Sequence, residues 1–334
     1  MMAETLTGKS EHLQATPRPL FFYDGADPSV LQALLDGGLP IMGVTTNPTL
    51  VAQHPDISAL IEHRQKIPEQ EALERYRGIV LDLHDVLVKN NPGYHSISVE
   101  PYCDENTTAD QLQTNAEKII SLFEDKPDMK EKLLIKLPAT AEGCRVAGRL
   151  IEQGWGVNGT LVFDQESALM WAEATKDAMQ HDVKVVVSPF VGRSEKQEFE
   201  GKKHNGVDLV ANIRQMYDNA GITHVGILAA SIPGESQIYG SWQAGADIIT
   251  APAKSLREYM VHGQEDLSAE FHYITAEDVV PQVYRSLDFG LNLDELIQQA
   301  QLNPVYLNGR HPLAVKGLQA FVNDWYKFVQ TTET

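Results

Sequence analysis

The sequence predicts an α/β fold, a single (β/α)8 TIM barrel carrying a C-terminal helical extension, and three observations lead there. Eight short apolar runs alternate with helical stretches, the pattern of a parallel sheet built from repeated strand–helix units. No glycine-rich dinucleotide fingerprint follows the first run, which weighs against an open doubly wound sheet. Polar residues recur at or just past the carboxyl ends of different strands, where a barrel gathers its chemistry. The expected division is a polar tail over 1–19, the barrel over 20–262 and the extension over 263–334.

Leu20 to Tyr23 reads as the first strand, stopped by the acidic turn Asp24-Gly25-Ala26-Asp27-Pro28, with a helix from Ser29 to Asp36. Leu39 to Thr46 is the second strand; Pro48 biases Asn47 towards extended geometry and cannot continue a hydrogen-bonded ladder. Glu71 to Lys89 places Ile79, Val80, Leu83, Val86 and Leu87 at helical spacing, and Pro92-Gly93 stops it. Ser96 to Pro101 is the third strand, followed by a helix from Ala109 to Phe123. Lys132 to Leu137 is the fourth, with a helix from Glu142 to Gln153. A short fifth strand, Trp155 to Asn158, precedes a helix from Gln165 to Met179. Val183 to Val187 is the sixth, and the charged stretch Ser194 to Asn205 is expected on the surface. Helix Gly206 to Ala220, strand His224 to Ala229, helix Gln237 to Ala244 and strand Asp247 to Ile249 complete the barrel. In the extension, Pro312 to Val329 is the clearest amphipathic helix.

Composition narrows the function classes. A formal net charge of -19 argues against nucleic acid as a partner, because phosphate backbones demand a basic surface. It does not exclude a small anionic substrate, which one or two focused arginines can hold. No apolar run approaches the ~18 residues of a membrane helix, and Met1 to Pro19 lacks the apolar core of a secretion signal. The expected location is the cytoplasm. Cys103 and Cys144 have neither metal-site spacing nor a disulfide framework, so both read as buried thiols.

The chemistry is expected around Lys136, the one charged residue inside Leu133-Leu134-Ile135-Lys136-Leu137-Pro138. An ammonium in an aliphatic strand must be paired, solvated or deprotonated, and a deprotonated lysine attacks a ketone to form a Schiff base. A structural ion pair is the ordinary explanation of a single such lysine. Its company shifts the balance: Asp24, Asn47, Glu100, Asn158, Thr160 and Ser188 all fall at or near strand ends. Imine formation and retro-aldol cleavage need separate proton transfers, which two carboxylates can divide. Asp24 is assigned to the substrate hydroxyl, Glu100 to the carbinolamine, and Asn47 and Asn158 to substrate hydroxyls.

Three motifs carry a resemblance: Gly43-Val44-Thr45-Thr46-Asn47-Pro48-Thr49-Leu50, Leu134-Ile135-Lys136-Leu137-Pro138-Ala139-Thr140, and Ser188-Pro189-Phe190-Val191-Gly192-Arg193. In this order and spacing they resemble the motifs of transaldolases, and His311-Pro312-Leu313-Ala314-Val315 is similar to that family's C-terminal helix. The resemblance implies transfer of a dihydroxyacetone unit between sugar phosphates, within the pentose phosphate pathway, with no metal and no organic cofactor. Lys136 would be the Schiff-base lysine, Asp24 and Glu100 the acid/base pair, and Thr46, Asn47, Asn158, Thr160, Ser188, Phe190, Arg193 and Ser231 the substrate-binding residues. Phe190 and Glu100 match the family's transferases rather than its simple aldolases. One departure concerns the substrate: where the family reads Ala-Ser-Phe-Arg, with the arginine on phosphate, this chain reads Ala230-Ser231-Ile232-Pro233. Gly25, Pro101 and Gly159 also replace bulkier residues, which suggests a reshaped pocket. The alternatives are an enzyme specialised for an unphosphorylated or unusual substrate, and a non-catalytic binding or regulatory barrel. Keeping two acids around a lysine argues against the latter. The oligomeric state stays open between monomer and homodimer.

Overall fold

The computed structural model describes residues 19–91, 93, 95–262 and 278–330. The expected tail, save Pro19, and the start of the expected extension lie outside the described residues. Eight parallel strands close into one barrel: Leu20–Asp24, Ile41–Thr45, Ser96–Val99, Leu133–Pro138, Gly156–Val162, Val185–Pro189, Val225–Ala229 and Ile248–Ala251. The last pairs back onto the first, Phe21 opposite Ile249.

Side chains alternate between two cores, as the pleat requires. Phe22, Leu134, Val186, Leu228 and Ile248 belong to an interior cluster. Their neighbours Phe21, Leu133, Ile135, Val185, Val187, Ile227 and Ile249 belong to the larger core between strands and helices. Phe22 is fully buried, and Gly43 makes room for it: a Cβ there would stand 2.6 Å from the Phe22 ring. Lys136 is two residues beyond Leu134 and therefore on the interior face, above the plug these apolar side chains form.

Several elements differ from expectation. The fifth strand runs from Gly156 to Val162, far past Asn158, because Asn158 faces the barrel interior and finds its partners there. The following helix ends at Ala174, where the Thr175 hydroxyl turns back onto the Trp171 carbonyl at 2.8 Å, and a 3-10 turn covers Lys176–Met179. Helices Pro48–Ala52 and Pro55–Glu62 were not expected; each opens on a proline, which suits a first helical turn. Helix Glu235–Gln243 starts two residues early, and helix Ala253–His262 follows the eighth strand. The stretch Ser194 to Asn205 is only partly superficial. Lys196, Glu198 and Glu200 are exposed, but Ser194 and Asn205 are buried, and Asn205 caps helix Gly206–Ala220 by accepting the Val207 N–H at 2.9 Å.

The C-terminal helix, Pro312–Trp325, ends four residues before Val329. It packs on helix Pro48–Ala52 and on the fifth strand, and its Leu313, Ala314, Leu318 and Phe321 join the interior cluster. The helix thus covers the carboxyl-end opening of the barrel. His311 anchors its start, stacked on Phe163 at 5.5 Å and packed against Phe199 at 4.3 Å.

Candidate active site

Lys136 is almost wholly enclosed, with 5% of its side chain accessible. Its Nζ lies 3.0 Å from Glu100 Oε2 and donates to the Thr46 carbonyl at 3.1 Å. Asp24, at the end of the first strand, accepts the Thr45 hydroxyl at 2.8 Å. Thr45 has spent its proton on Asp24, so Thr250 must donate across the 2.5 Å that separates the two threonine oxygens. Burial pushes the Asp24 carboxyl above the usual range, opposed by Lys136, the Thr45 hydrogen bond and Arg193. Burial raises Glu100 likewise, with Lys136 the main opposing influence. Two carboxyls biased towards holding protons therefore sit around one amine.

A cavity of about 180 Å³ opens over this group. Of the expected residues, Asp24, Asn47, Lys136, Ser188, Phe190, Arg193 and Ser231 border it. Asn47 already accepts the Leu50 N–H at 2.9 Å as a helix cap, leaving its NH2 group for the cavity. Glu100, Thr46, Asn158 and Thr160 are buried but do not border it. Asn158 is held in a bridge between strands, donating to Ser98 Oγ at 3.0 Å and accepting from Ser188 Oγ at 2.7 Å. Thr160 Oγ1 is buried with no hydrogen-bond partner among the described residues, next to a register shift where Leu161 takes a left-handed φ of 59°. Strain of that kind gathers at functional sites.

Thr45, Thr250 and Phe321 also border the cavity and were not expected. Thr250 was legible as a polar residue beside an apolar run, but the expected eighth strand stopped at Ile249, two residues before its end at Ala251. Phe321 carried no such signal, because sequence does not say which end of a barrel a terminal helix covers.

Arg193 lies over two rings, its guanidinium carbon 5.1 Å from the Phe190 centroid and 5.7 Å from that of Phe321. Its Nη1 is buried with no hydrogen-bond partner among the described residues. Burial lowers its pKa, opposed by Glu100 and Asp24. Lys136 and Arg193 are the cations among the residues bordering the cavity. Pro233 does not border it, and packs instead where a Cβ on Gly192 would stand 2.8 Å from Pro233 Cδ. Lys254, a possible replacement cation by position, is 82% exposed and 3.8 Å from Glu258. It also leaves the cavity untouched.

Gly25, Pro101 and Gly159 were expected to reshape the pocket, but none of the three borders the cavity. A Cβ on Gly159 would stand 2.4 Å from the Trp171 indole, so this glycine serves the packing of the outer helix. At Gly25 the crowding comes from the ring of Tyr23, 2.1 Å from the position of a Cβ. A larger cavity, about 310 Å³, lies between Tyr102, Asp104 and Tyr326, but Asp104 is already engaged by Thr107, Asn106 and Tyr102. Cys144 is buried and Cys103 half-buried, both unbridged. Among the described residues, no cluster of three metal-ligating side chains occurs and no helix is long and apolar enough to cross a membrane.

Fold and site together define a (β/α)8 barrel enzyme with its polar groups gathered at the carboxyl ends of the strands. The chain belongs to the transaldolase/fructose-6-phosphate aldolase family, whose match extends over residues 21–331. A protein from Chlorobium phaeobacteroides named probable transaldolase is 32% identical over 247 residues, 74% of this chain and 91% of that protein. Another of the same name, from Desulfotalea psychrophila, is 28% identical over 250 residues, 75% of this chain and 94% of that one.

Proposed function

We propose that this transaldolase-like enzyme moves a dihydroxyacetone unit from a ketose or ketose phosphate to an aldehyde through a Schiff base on Lys136. The observation that carries the reading is the enclosed Lys136 amine, 3.0 Å from Glu100 and bordering one cavity with Asp24. The free amine attacks the ketose carbonyl to give a carbinolamine, and Glu100 delivers the proton with which its oxygen leaves as water. Asp24 takes the proton from the hydroxyl beta to the imine. The carbon–carbon bond then breaks, releasing an aldehyde and leaving its electron pair in the enamine. Attack of that enamine on a second aldehyde, with Asp24 returning the proton, forms the new bond. Hydrolysis of the resulting imine frees Lys136. Asn47 and Ser188, which border the cavity, hold substrate hydroxyls in this reading, with Asn158 orienting Ser188 through their hydrogen bond.

A second reading, in which the preferred substrate carries no phosphate, is favoured by one observation. Arg193 faces the cavity without a partner cation other than Lys136, Pro233 standing where the family's arginine would be. A charge-assisted hydrogen bond contributes on the order of 1.5 to 3 kcal/mol, so its loss is expected to weaken discrimination for phosphate by roughly ten- to a hundredfold. Measuring kcat/KM for fructose 6-phosphate and fructose, against an ordinary transaldolase, checks this. Undiminished preference for the phosphorylated donor would show that Arg193 suffices and would retire the second reading.

A further inference from the structure

We propose that Tyr76 is a positioning residue for the lysine chemistry, holding in place both groups that grip the Lys136 amine. The inference rests on reading Lys136 as the reacting amine. Tyr76 stands on the outer helix Glu69–Asn90, is 4% exposed, and does not border the substrate cavity.

Its hydroxyl lies 2.5 Å from Thr46 Oγ1 and accepts the Glu100 backbone N–H at 3.0 Å. The directions follow from the ends of the chain of bonds. The Ser98 carbonyl can only accept, so the Thr46 hydroxyl donates to it at 2.7 Å and has no second proton. Tyr76 must then donate to Thr46, and its oxygen is free to accept from Glu100. Burial pushes the Tyr76 phenol above its usual range, which keeps that proton in place.

Thr46 and Glu100 both contact Lys136 Nζ, the first through its carbonyl and the second through its carboxylate. The pairing between the second and third strands ends at Thr45 and Ser98, and Thr46 N–H closes onto the Ser98 carbonyl. The next rung of a parallel ladder would run from the Glu100 N–H to the Thr46 carbonyl, but here that carbonyl accepts Lys136 Nζ and the Glu100 N–H leaves the ladder for Tyr76. A side chain from the surrounding helix layer takes over, so one phenol sets the separation between the two acceptors of the amine. Displacements on the order of 1 Å at a reacting group can cost about a hundredfold in rate.

Tyr76→Phe keeps the ring and deletes the hydroxyl. The expected result is a ten- to hundredfold slower formation of borohydride-trappable imine with fructose 6-phosphate or fructose, kcat falling with it while KM changes by less than about threefold. Thr46→Val cuts the same chain of bonds at its middle, and gives an independent test should Tyr76→Phe fold poorly. The double variant is expected to be no slower than the slower single one, because both substitutions sever one unit. Thr46→Ser is expected to recover most of what Thr46→Val loses. A lowered melting temperature with unchanged kcat and KM in the folded protein would mean that Tyr76 is structural only and would overturn the proposal. So would additive losses in the double variant, or trapping in Tyr76→Phe within about threefold of wild type. If the wild type itself yields no adduct at Lys136, the lysine reading fails, and this inference fails with it.

Discussion

Lys136→Ala is expected to lower kcat by roughly 10⁴- to 10⁶-fold, the scale of loss when a covalent nucleophile is removed from a site whose groups act as a unit. Among the described residues, Lys136 is the lysine that borders the cavity, so no second amine stands ready to replace it. The variant should still fold. Removing one partner of a buried ion pair typically costs about 3–5 kcal/mol when the other stays charged. Glu100 has a cheaper outcome, because burial already raises its pKa and Lys136 is the main influence opposing that. With the lysine gone the carboxyl can hold its proton, so the loss of stability should be smaller at acidic pH and grow as the pH rises and Glu100 is forced to ionise. Melting temperatures across pH, alongside turnover, check both halves. Residual turnover within about a hundredfold of wild type would show that the reaction does not run through this amine.

The second large effect is expected at Asp24. Asp24→Asn should slow carbon–carbon cleavage by roughly 10²- to 10⁴-fold, the usual contribution of a positioned general base. The amide oxygen can still accept the Thr45 hydroxyl that holds Asp24 now, so the substitution tests proton transfer more than architecture. The raised pKa of Asp24 has a signed consequence. A base must be ionised, so wild-type cleavage should fall as the pH drops, starting at a pH above the ~3.9 of an ordinary aspartate. That acid limb should vanish in the variant. Single-turnover cleavage measured against pH decides the matter. A wild-type cleavage rate in Asp24→Asn would move the role of base to another group, with Glu100 the nearest carboxylate to the amine.

The barrel was legible because its strands are short, apolar and separated by helical stretches, and because Pro48, Pro92 and glycines punctuate them. Lys136 was legible for the opposite reason, as a charge where the pattern permits none. What sequence could not give was depth. Glu100, Asn158 and Thr160 all fall near strand ends, yet the cavity is bordered by Asp24 and Ser188 instead, while those three lie beneath its wall. Strand position alone does not separate residues that meet a substrate from residues that hold them. The fifth strand shows why: its polar residues read as a stop, whereas Asn158 bridges Ser98 and Ser188 inside the barrel and lets the strand continue to Val162. Long-range placement was equally hidden. Phe321 reaches the site from a helix far along the chain from Lys136, through packing on helix Pro48–Ala52 and in the interior cluster with Leu161 and Phe190.

The most direct test of the covalent assignment is reduction with borohydride in the presence of fructose 6-phosphate or fructose, followed by mass spectrometry of the digested protein. Borohydride captures an imine irreversibly, so the account predicts a reduced three-carbon adduct on the peptide containing Lys136. An adduct on a different lysine, or none under conditions that label an ordinary transaldolase, would contradict it.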